Sequence, residues 1–387
     1  MITKERCCGC TSCAFTCLSD NIEMKQDNEG FMYPHKKDED VCGDCGRCNS
    51  ACFYNDQQKI TAPTSIYACK IKDDDIRKSS SSGGVFSALA ERVISQGGVV
   101  FGAAFDENCI LIHSFAEGSD YVKFRRSKYV ESDLKETYPT VQKFLDDGRK
   151  VLFTGTPCKI SGLLKYLRKS YENLLCMDFI CHGVPSPLML KIHLDEISKD
   201  TPGKIIDFRF RTKDDVWKKC ISTTATTDLG NVISKKRDSF MLGFLQNLYL
   251  RPSCHSCFAN GFRSGADITI GDYWGAETMH REFDDEKGVS LLMIRSKKGE
   301  VAFEGIKSKM EIIEADLNHI LIFNPNIERA TSPHPARAKF FDLVKSVPFS
   351  RCVKKFTKKH IEIARVLLSP GQIRWIQFIM SKIKKQK

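Results

Sequence analysis

The chain has no run of about twenty apolar residues, the length that a membrane-spanning helix needs, so no transmembrane segment is predicted. Its first residues, MITKERCCGC, also lack the apolar segment of a secretory signal. Disulfides are rare in proteins that stay in the cytoplasm. The two absences therefore predict a cytoplasmic protein whose cysteines serve metal binding or redox chemistry rather than a disulfide framework.

Net charge is also scarce over most of the chain. The 387 residues carry +11, but residues 351–387 hold eleven Lys or Arg and a single acid, Glu362, which is +10 and leaves +1 for residues 1–350. The basic charge thus belongs to the C-terminal tail, and no recognised nucleic-acid-binding fold accompanies it. Nucleic acid is therefore not a predicted partner.

The tail, residues 351–387, is predicted to be a basic amphipathic helix. Between residues 372 and 387, apolar side chains recur at helical spacing and four lysines close the end. Such a helix can lie on the anionic inner face of a membrane, or it can dock on the body of the protein or on a partner. Both hypotheses stay open, and the first would make the cytoplasmic protein a peripheral membrane protein.

Cysteine, in contrast, is abundant, with 18 residues. Eight of them form two copies of the pattern C-x2-C-x2-C-x3-C, namely Cys7, Cys10, Cys13 and Cys17, then Cys42, Cys45, Cys48 and Cys52. Two-cluster bacterial ferredoxins have this spacing, and in them the fourth cysteine of each run ligates the other cluster. We therefore expect one 4Fe-4S cluster on Cys7, Cys10, Cys13 and Cys52, and a second on Cys42, Cys45, Cys48 and Cys17. Residues 1–60 are predicted to be a dicluster ferredoxin domain.

Structural zinc is the main alternative for these cysteines, because C-x2-C pairs also bind zinc. Zinc ribbons use two such pairs for each ion. Here four thiols lie within eleven residues and the whole unit then repeats. The spacing favours iron-sulfur clusters, and so predicts a protein that carries electrons.

A larger domain, residues 65–345, alternates apolar β-rich runs with helical patterns. Strands are predicted at residues 99–105, 150–154, 174–180, 205–211, 221–227, 268–272 and 289–294, and helices at residues 85–96, 159–169, 188–199, 239–250 and 300–309. This alternation is typical of a mixed α/β domain. The predicted fold class is α+β or α/β, with the ferredoxin domain in front and the helical tail behind.

Three loops of small residues in this domain predict a cofactor pocket. Residues 79–84 precede a predicted helix, whereas residues 154–158 and 181–186 follow predicted strands. Loops at the carboxyl ends of parallel strands converge on one crevice, and a helix N-terminus preceded by serine and glycine can bind an anion. The same residue types are equally common as a simple cap and turn.

Six segments resemble one family, the coenzyme F420 hydrogenase/dehydrogenase beta subunits. They are SSSSGGVFSALAERVISQGGVVFGAAF, RRSKYVES, VLFTGTPCKISGLLKYL, MDFICHGVPSP, RPSCHSC and ADITIGDYWG, and the resemblance runs from Cys7 to about Gly275, with weaker similarity to Ile294. It implies an iron-sulfur flavoprotein that contains FAD in residues 65–345. The implied flavin-binding residues are Ser82, Gly83 and Gly84, then Ser127, Lys128 and Tyr129, then Thr154, Gly155 and Thr156.

Four further cysteines are candidate ligands of a third cluster. Cys254 and Cys257 form a C-x2-C pair, and Cys158 and Cys181 lie on two of the cofactor loops. The alternative is a redox-active pair with two ordinary small cysteines. Cys8, beside Cys7, is interpreted as a bystander.

His182 is the candidate catalytic residue, because a histidine can act as acid or base at neutral pH. It could equally orient its loop through a hydrogen bond. The leading hypothesis is an oxidoreductase in which FAD exchanges electrons with the clusters, with coenzyme F420 as the small-molecule hydride carrier and a redox protein as the other partner. The alternative is a non-enzymatic electron carrier or scaffold subunit of a larger redox or polysaccharide-biosynthesis assembly.

Overall fold

The computed structural model describes residues 2–55, 59–211 and 222–357. Within these ranges, no helix is both long enough and apolar enough to cross a membrane. Most of the predicted tail, residues 358–387, lies outside the described residues. So do residues 212–221, which include the start of one predicted strand.

The described strands form three sheets. A hairpin consists of β1 (Ile22–Gln26) and β2 (Met32–Lys36). The large sheet has eight strands, which are β3 (Ser65–Ile71), β4 (Val99–Phe105), β5 (Leu111–Ala116), β6 (Val151–Gly155), β7 (Leu174–Phe179), β11 (Ile268–Asp272), β12 (Ser290–Ile294) and β13 (Met310–Glu314). Their order is β13-β3-β12-β11-β7-β6-β4-β5. A small antiparallel sheet contains β8 (Ile205–Arg209), β9 (Thr223–Thr227) and β10 (Val232–Lys235).

Helices flank the large sheet and connect its strands. In chain order they are α1 (Ser12–Phe15), α2 (Arg47–Ser50), α3 (Asp74–Ser79), α4 (Val85–Ser95), α5 (Thr137–Asp146), α6 (Pro157–Leu167), α7 (Pro187–Ile197), α8 (Ser239–Leu245), α9 (Ala276–Met279), α10 (Lys297–Glu304), α11 (Leu317–Phe323), α12 (Arg337–Leu343) and α13 (Phe349–Phe356). Short 3₁₀ helices span Ser119–Phe124, Pro252–Ser256, Lys307–Lys309 and Pro325–Ile327.

Strand direction brings five loops to one edge of the large sheet. Strands β4, β6, β7 and β11 are mutually parallel along the sheet order. Strand β3 runs the same way as β11, because both pair antiparallel with β12. The residues that follow β3, β4, β6, β7 and β11 therefore leave from the same edge, where cofactor sites of such sheets lie.

The mixed α/β class with a large sheet is confirmed, with shifted element ends. Strand β6 is an uninterrupted apolar run because it is covered on both faces, and Val151, Leu152 and Phe153 are fully buried. The helix predicted at 239–250 ends at Leu245, and Asn247 takes a positive φ of 63°. The helix predicted at 300–309 is instead α10, which begins after the Ser296 cap and ends at Glu304. Strands β3, β5 and β13 were not predicted, because their alternation of apolar and polar residues is weak.

The start of the predicted tail belongs to the body of the protein. Residues 351–356 lie in α13, where Cys352 and Val353 are buried in the core cluster that also contains Phe240 and Phe349. The expected boundary at residue 351 therefore falls inside a packed helix. Its apolar face, rather than its basic charge, fixes its position.

A buried ion pair joins the first sixty residues to the large domain. The guanidinium of Arg251 donates to the Glu131 carboxylate, with Nη1 2.8 Å from each oxygen. Its Nε donates to the Cys7 carbonyl at 2.8 Å, and its Nη2 to the Met32 carbonyl at 2.7 Å. Arg251 also lies over the ring of Tyr33, 4.4 Å from the ring centroid. One side chain thus holds the first cysteine run and the β1–β2 hairpin to the body.

We expect Arg251→Met to lower the free energy of unfolding by about 3–5 kcal/mol, because Glu131 would remain buried without its counter-charge. The double variant Arg251→Met with Glu131→Gln should recover part of this loss. Denaturant unfolding followed by tryptophan fluorescence would measure both. Lys191→Met is the control, since Lys191 pairs with Asp195 on an exposed turn of α7 and should change stability by less than about 0.5 kcal/mol. Equal stability of Arg251→Met and Lys191→Met would contradict the assigned role.

Candidate functional site

The cysteines of the first predicted set lie near one another. Burial raises the pKa of Cys13, and the thiols of Cys10, Cys7 and Cys52 raise it further because they lie close by. Burial likewise raises the pKa of Cys7 to about 11; the Arg251 charge opposes the rise, and Cys10 and Cys52 add to it. Cys52 and Cys48, both from the second run, therefore lie near the cysteines of the first run.

Two members of the second set, Cys17 and Cys42, have contacts within their own loops. The Cys17 thiol accepts the backbone N–H of Asn21 at 3.3 Å, and the Cys42 thiol lies 3.6 Å from a carboxylate oxygen of Asp44. Cys45 is exposed and Cys48 partly buried. A second cluster on Cys17, Cys42, Cys45 and Cys48 stays a prediction from the sequence.

Cys158, Cys181, Cys254 and Cys257 also come together, although they lie on three separate segments. Burial raises the pKa of Cys181, and Cys254, Cys158 and Cys257 raise it further. The Cys254 thiol accepts the backbone N–H of Val184 at 3.4 Å, which ties the 252–257 turn to the loop after β7. A hydrogen bond from Cys8 lowers the pKa of Cys158 to about 7 against the effect of burial. These four thiols are called the inner cysteine set below.

The two converging sets adjoin one another. Cys10 packs against Gly162 of α6, the helix whose first turn carries Cys158. A Cβ atom on Gly162 would lie 2.7 Å from the Cβ of Cys10 and 3.0 Å from its Sγ. Glycine is thus required where the first set meets α6.

Within the described ranges, no three His, Cys, Asp or Glu side chains are close enough to hold a single metal ion. A cubane cluster is larger than one ion, so its thiolates surround it at greater separation.

The loop at residues 80–84 packs against the sheet more tightly than the sequence suggested. Ser82 donates to the Val289 carbonyl at 2.6 Å, and the Gly83 N–H donates to the Ser290 hydroxyl at 2.8 Å. A Cβ atom on Gly83 would lie 2.0 Å from the Cys69 carbonyl oxygen. The N–H of Gly83 is therefore engaged by the protein itself, and this glycine allows close packing of the loop on β3 and β12.

The first turn of α4 still offers backbone N–H groups. Gly84 takes a φ of 90° at the N-cap, and no side chain caps the helix. Beside it, the Ser127 N–H donates to the Ser81 hydroxyl at 2.6 Å, and Arg125 donates to the Ser79 hydroxyl at 3.0 Å. The serine loop and the segment at residues 125–129 are thus brought together, with positive charge at their junction.

Lys128 and Tyr129, predicted for the same pocket, have different surroundings. The Lys128 ammonium donates to the carbonyls of Lys123 at 3.0 Å and Arg125 at 2.6 Å, so it closes its own turn. Burial lowers its pKa to about 7. Tyr129 stacks on Phe244 with a centroid separation of 4.9 Å.

An ion pair lies next to Tyr129 at the ends of β8 and β11. Arg211 donates to Asp272 at 2.7 Å, lies 3.5 Å from the Tyr129 hydroxyl and packs over the ring of Trp274. Aromatic rings and a charge pair therefore lie together at the carboxyl end of β11. Asp272 therefore serves as the partner of Arg211.

Hydrogen bonds to β4 and β5 hold the end of β6, from which the next loop leaves. The Thr154 hydroxyl donates to the Phe101 carbonyl at 2.8 Å, and the Thr154 carbonyl accepts from His113 at 2.8 Å. Thr156 begins α6, and its hydroxyl lies 3.2 Å from the Cys158 thiol. Gly155 is buried at the end of β6. Thr156 thus touches a candidate cluster ligand.

His182, the candidate catalytic residue, is held by contacts with three neighbours. Its Nε2 lies 2.6 Å from the Asn247 side-chain oxygen, and its ring meets Phe244 edge to face at 5.1 Å. Its carbonyl accepts a hydrogen bond from Thr331. These contacts favour an orienting role for the loop that carries Cys181.

Sequence reasoning missed several buried polar residues of the site. Besides Arg251 and Glu131, they include His113, Ser132 and Lys159. His113 Nδ1 lies 3.0 Å from the Ser132 hydroxyl, which also accepts from Lys159 at 2.6 Å. Burial lowers the pKa of His113 to about 3, so it is neutral. Four of these five residues lie inside the segments that carry the family resemblance, and that membership was the available signal: Glu131 and Ser132 in RRSKYVES, Lys159 in VLFTGTPCKISGLLKYL and Arg251 in RPSCHSC.

A separate groove of about 990 Å³ lies between the first cysteine run and α7. Cys17, Leu111, Ser132 and Leu190 are among the residues that line it. None of the predicted flavin-binding residues lines this groove. It therefore is not the predicted cofactor pocket.

Comparisons with known proteins identify one family. Residues 148–319 match the family model for the C terminus of the coenzyme F420 hydrogenase/dehydrogenase beta subunit. No curated protein matches the chain. Among solved structures, it is similar to a chain of the F420-reducing NiFe hydrogenase complex from Methanosarcina barkeri, at 18% identity and a TM-score of 0.47 over 76% of this chain and 91% of that chain. A likeness of that degree carries no argument about function.

We expect Gly83→Ala to destabilise the protein by about 1–3 kcal/mol, because the new methyl group would collide with the β3 backbone. Thermal unfolding of the cofactor-free protein would measure the loss. Gly118→Ala is the matched control, since nothing lies within 4 Å of a Cβ atom there and its φ is −147°. If the two variants unfold at the same temperature, the packing role of Gly83 is wrong.

Proposed function

Because the chain belongs, through residues 148–319, to the coenzyme F420 hydrogenase/dehydrogenase beta subunit family, whose members are components of oxidoreductases, we propose that it is an iron-sulfur flavoprotein oxidoreductase. It passes electrons between a hydride carrier at FAD and a series of 4Fe-4S clusters. The observation that carries this proposal is the inner cysteine set, which the fold assembles from three segments directly beside the first ferredoxin set.

Three clusters are proposed. One is held by Cys7, Cys10, Cys13 and Cys52. The outermost is held by Cys17, Cys42, Cys45 and Cys48, and the third by the inner cysteine set. The contact between Cys10 and α6 supports a short route between the first and the third. Clusters carry single electrons, and hydrogen bonds and burial set their potentials.

FAD is proposed to lie along the carboxyl edge of the large sheet. The N-terminus of α4, with Ser81, Arg125 and Ser127 beside it, is suited to the diphosphate. Tyr129, His182 and Trp274 would then flank the flavin ring, next to Cys181. A flavin accepts a hydride and releases its electrons singly, which is the step that clusters cannot perform.

The hydride carrier is proposed to be coenzyme F420, by analogy with the family name, and the electron acceptor or donor a redox protein. The exposed cysteine loop at Cys45 supports exchange with such a partner at the outer end. Contact of the tail with a membrane stays a prediction from the sequence. The rival function, an electron carrier or scaffold subunit without its own hydride chemistry, needs the clusters but no reactive flavin.

We expect the anaerobically purified protein to contain about twelve irons per chain, and the Cys181→Ser variant to contain about four fewer. Iron and sulfide analysis with electron paramagnetic resonance would measure this. The control is Cys176→Ser, because Cys176 is buried in β7 and belongs to no set. If the parent contains about eight irons and neither variant loses any, the chain has no third cluster.

We also expect stoichiometric FAD on denaturation, and bleaching of its absorbance when reduced F420 or a reduced pyridine nucleotide is added. In the Cys181→Ser variant the flavin should still bleach, while the ferredoxin clusters stay oxidised, since their link to the flavin is broken. Stopped-flow absorbance would follow both signals. Bound flavin that neither donor bleaches would favour the carrier function.

A further inference from the structure

Arg295, the first residue after β12, is a buried arginine at the junction of several loops. Its side chain is 1% exposed. Its Nη2 donates to the Phe262 carbonyl at 2.6 Å, and its Nη1 donates to the Ser264 hydroxyl at 2.7 Å. Its Nε donates to the Thr61 carbonyl at 3.0 Å, in the segment that joins the first sixty residues to β3. Because a buried guanidinium is costly without such partners, these contacts bind Arg295 and the loops to each other.

The carboxylate partner of Arg295 is Asp178, near the end of β7. Arg295 Nη1 lies 3.5 Å from a carboxylate oxygen of Asp178, whose side chain is 3% exposed. Arg295 also donates to the Thr269 hydroxyl of β11 at 3.2 Å. Asp178 stands three residues before Cys181. Arg295 therefore contacts the segment that carries this member of the inner cysteine set.

The loop at residues 258–265, which follows Cys257, contains a residue in an unfavourable backbone conformation. Phe262 takes a φ of 61°, in a region that bulky side chains rarely occupy. Arg295 donates to the carbonyl of this residue and lies over its ring, 5.5 Å from the ring centroid. The conformation of the loop after Cys257 therefore depends on contact with the guanidinium.

The same loop contacts α6, the helix whose first turn carries Cys158. Ser161, three residues after Cys158, donates its hydroxyl to the Ser264 carbonyl at 3.1 Å. The side chain of Ser264 accepts from Arg295. One guanidinium thus ties together, directly or through Ser264, all three segments from which the inner cysteine set is assembled.

We propose that Arg295 is a positioning residue of the inner cysteine set, which holds the segments of Cys158, Cys181 and Cys257 at the separation that a 4Fe-4S cluster needs. Groups behind the ligands of a metal centre orient those ligands and raise its affinity. Arg295 does not ligate the cluster. It limits how far the three segments can move apart before the cluster binds. This inference rests on the proposed function, because it needs a cluster on the inner set.

The test compares the parent with Arg295→Met and with the double variant Arg295→Met, Asp178→Asn, each as the full chain reconstituted anaerobically. Methionine replaces the apolar part of the side chain but none of its donors. Iron analysis and electron paramagnetic resonance of Arg295→Met should show a loss of about four irons and of one cluster signal, with the two ferredoxin signals retained. The double variant removes the unpaired Asp178 charge but restores no contact between the segments, so it should lose the same iron.

Arg77→Met is the matched control. Arg77 is also buried, and it donates to the Asp285 carboxylate at 2.6 Å and to the Gly288 carbonyl at 3.1 Å. These partners lie in the segment before β12 rather than beside a cysteine of the inner set. Thermal unfolding should show that both arginine variants lose stability, whereas Arg77→Met should keep about twelve irons.

About twelve irons in Arg295→Met, or an equal loss of iron in Arg77→Met, would overturn this inference alone. Recovery of the third cluster in the double variant would do the same, because an unpaired buried charge would then be the cause of the loss.

If Arg295→Met does not fold, Arg295→Lys takes its place. A single ammonium can reach only some of these acceptors. Partial loss of the third cluster in Arg295→Lys would therefore support the inference, and full iron content would overturn it. A parent protein with about eight irons would instead overturn the third cluster of the proposed function, and this inference with it.

Discussion

The pairing of Arg251 with Glu131 is the contact on which the relation between the two halves of the site depends. Neither charge could be buried alone, since removing a charge from water costs several kcal/mol unless a partner compensates it. The guanidinium uses its remaining donors on the carbonyls of Cys7 and Met32. A second pair, between Arg337 and Glu29, fixes the hairpin turn from the other side. The cysteine-rich segment is thus bound at specific points rather than tethered by a linker.

The second constraint is the direction of the strands. Because β3, β4, β6, β7 and β11 run the same way, small-residue loops far apart in the chain open at one edge. The inner cysteine set takes one member from the first turn of α6, which follows β6, one from the loop after β7, and two from the turn before β11. Helix α6 links this edge to the first cysteine run, because it carries Cys158 in its first turn and contacts Cys10 one turn later.

Sequence reasoning was strongest where a residue pattern reports local chemistry. The crossed membership of Cys52 in the first set follows from spacing and stays a prediction, although Cys52 does lie near Cys7 and Cys13. Strands β4 and β11 were predicted with their observed ends, because continuous apolar runs mark buried strands. Sequence reasoning was weaker for β3 and β13, where the alternation of apolar and polar residues is poor. It was also weaker for the role of Gly83. There the chain offers a serine-glycine run, but only the sheet shows that the glycine is needed for close packing.

The sequence by itself therefore predicted the kind of chemistry, because cysteine spacing encodes the ligand geometry of a cluster within a few residues of chain. It also indicated the mixed α/β class and the approximate positions of the cofactor loops. Tertiary structure alone decided which distant groups meet: Cys8 with Cys158, Arg251 with Glu131, and His113 with the Thr154 carbonyl. The reason is physical. Spacing fixes what lies within one turn or loop, whereas buried charges and thiols acquire their roles only from the partners that folding places beside them.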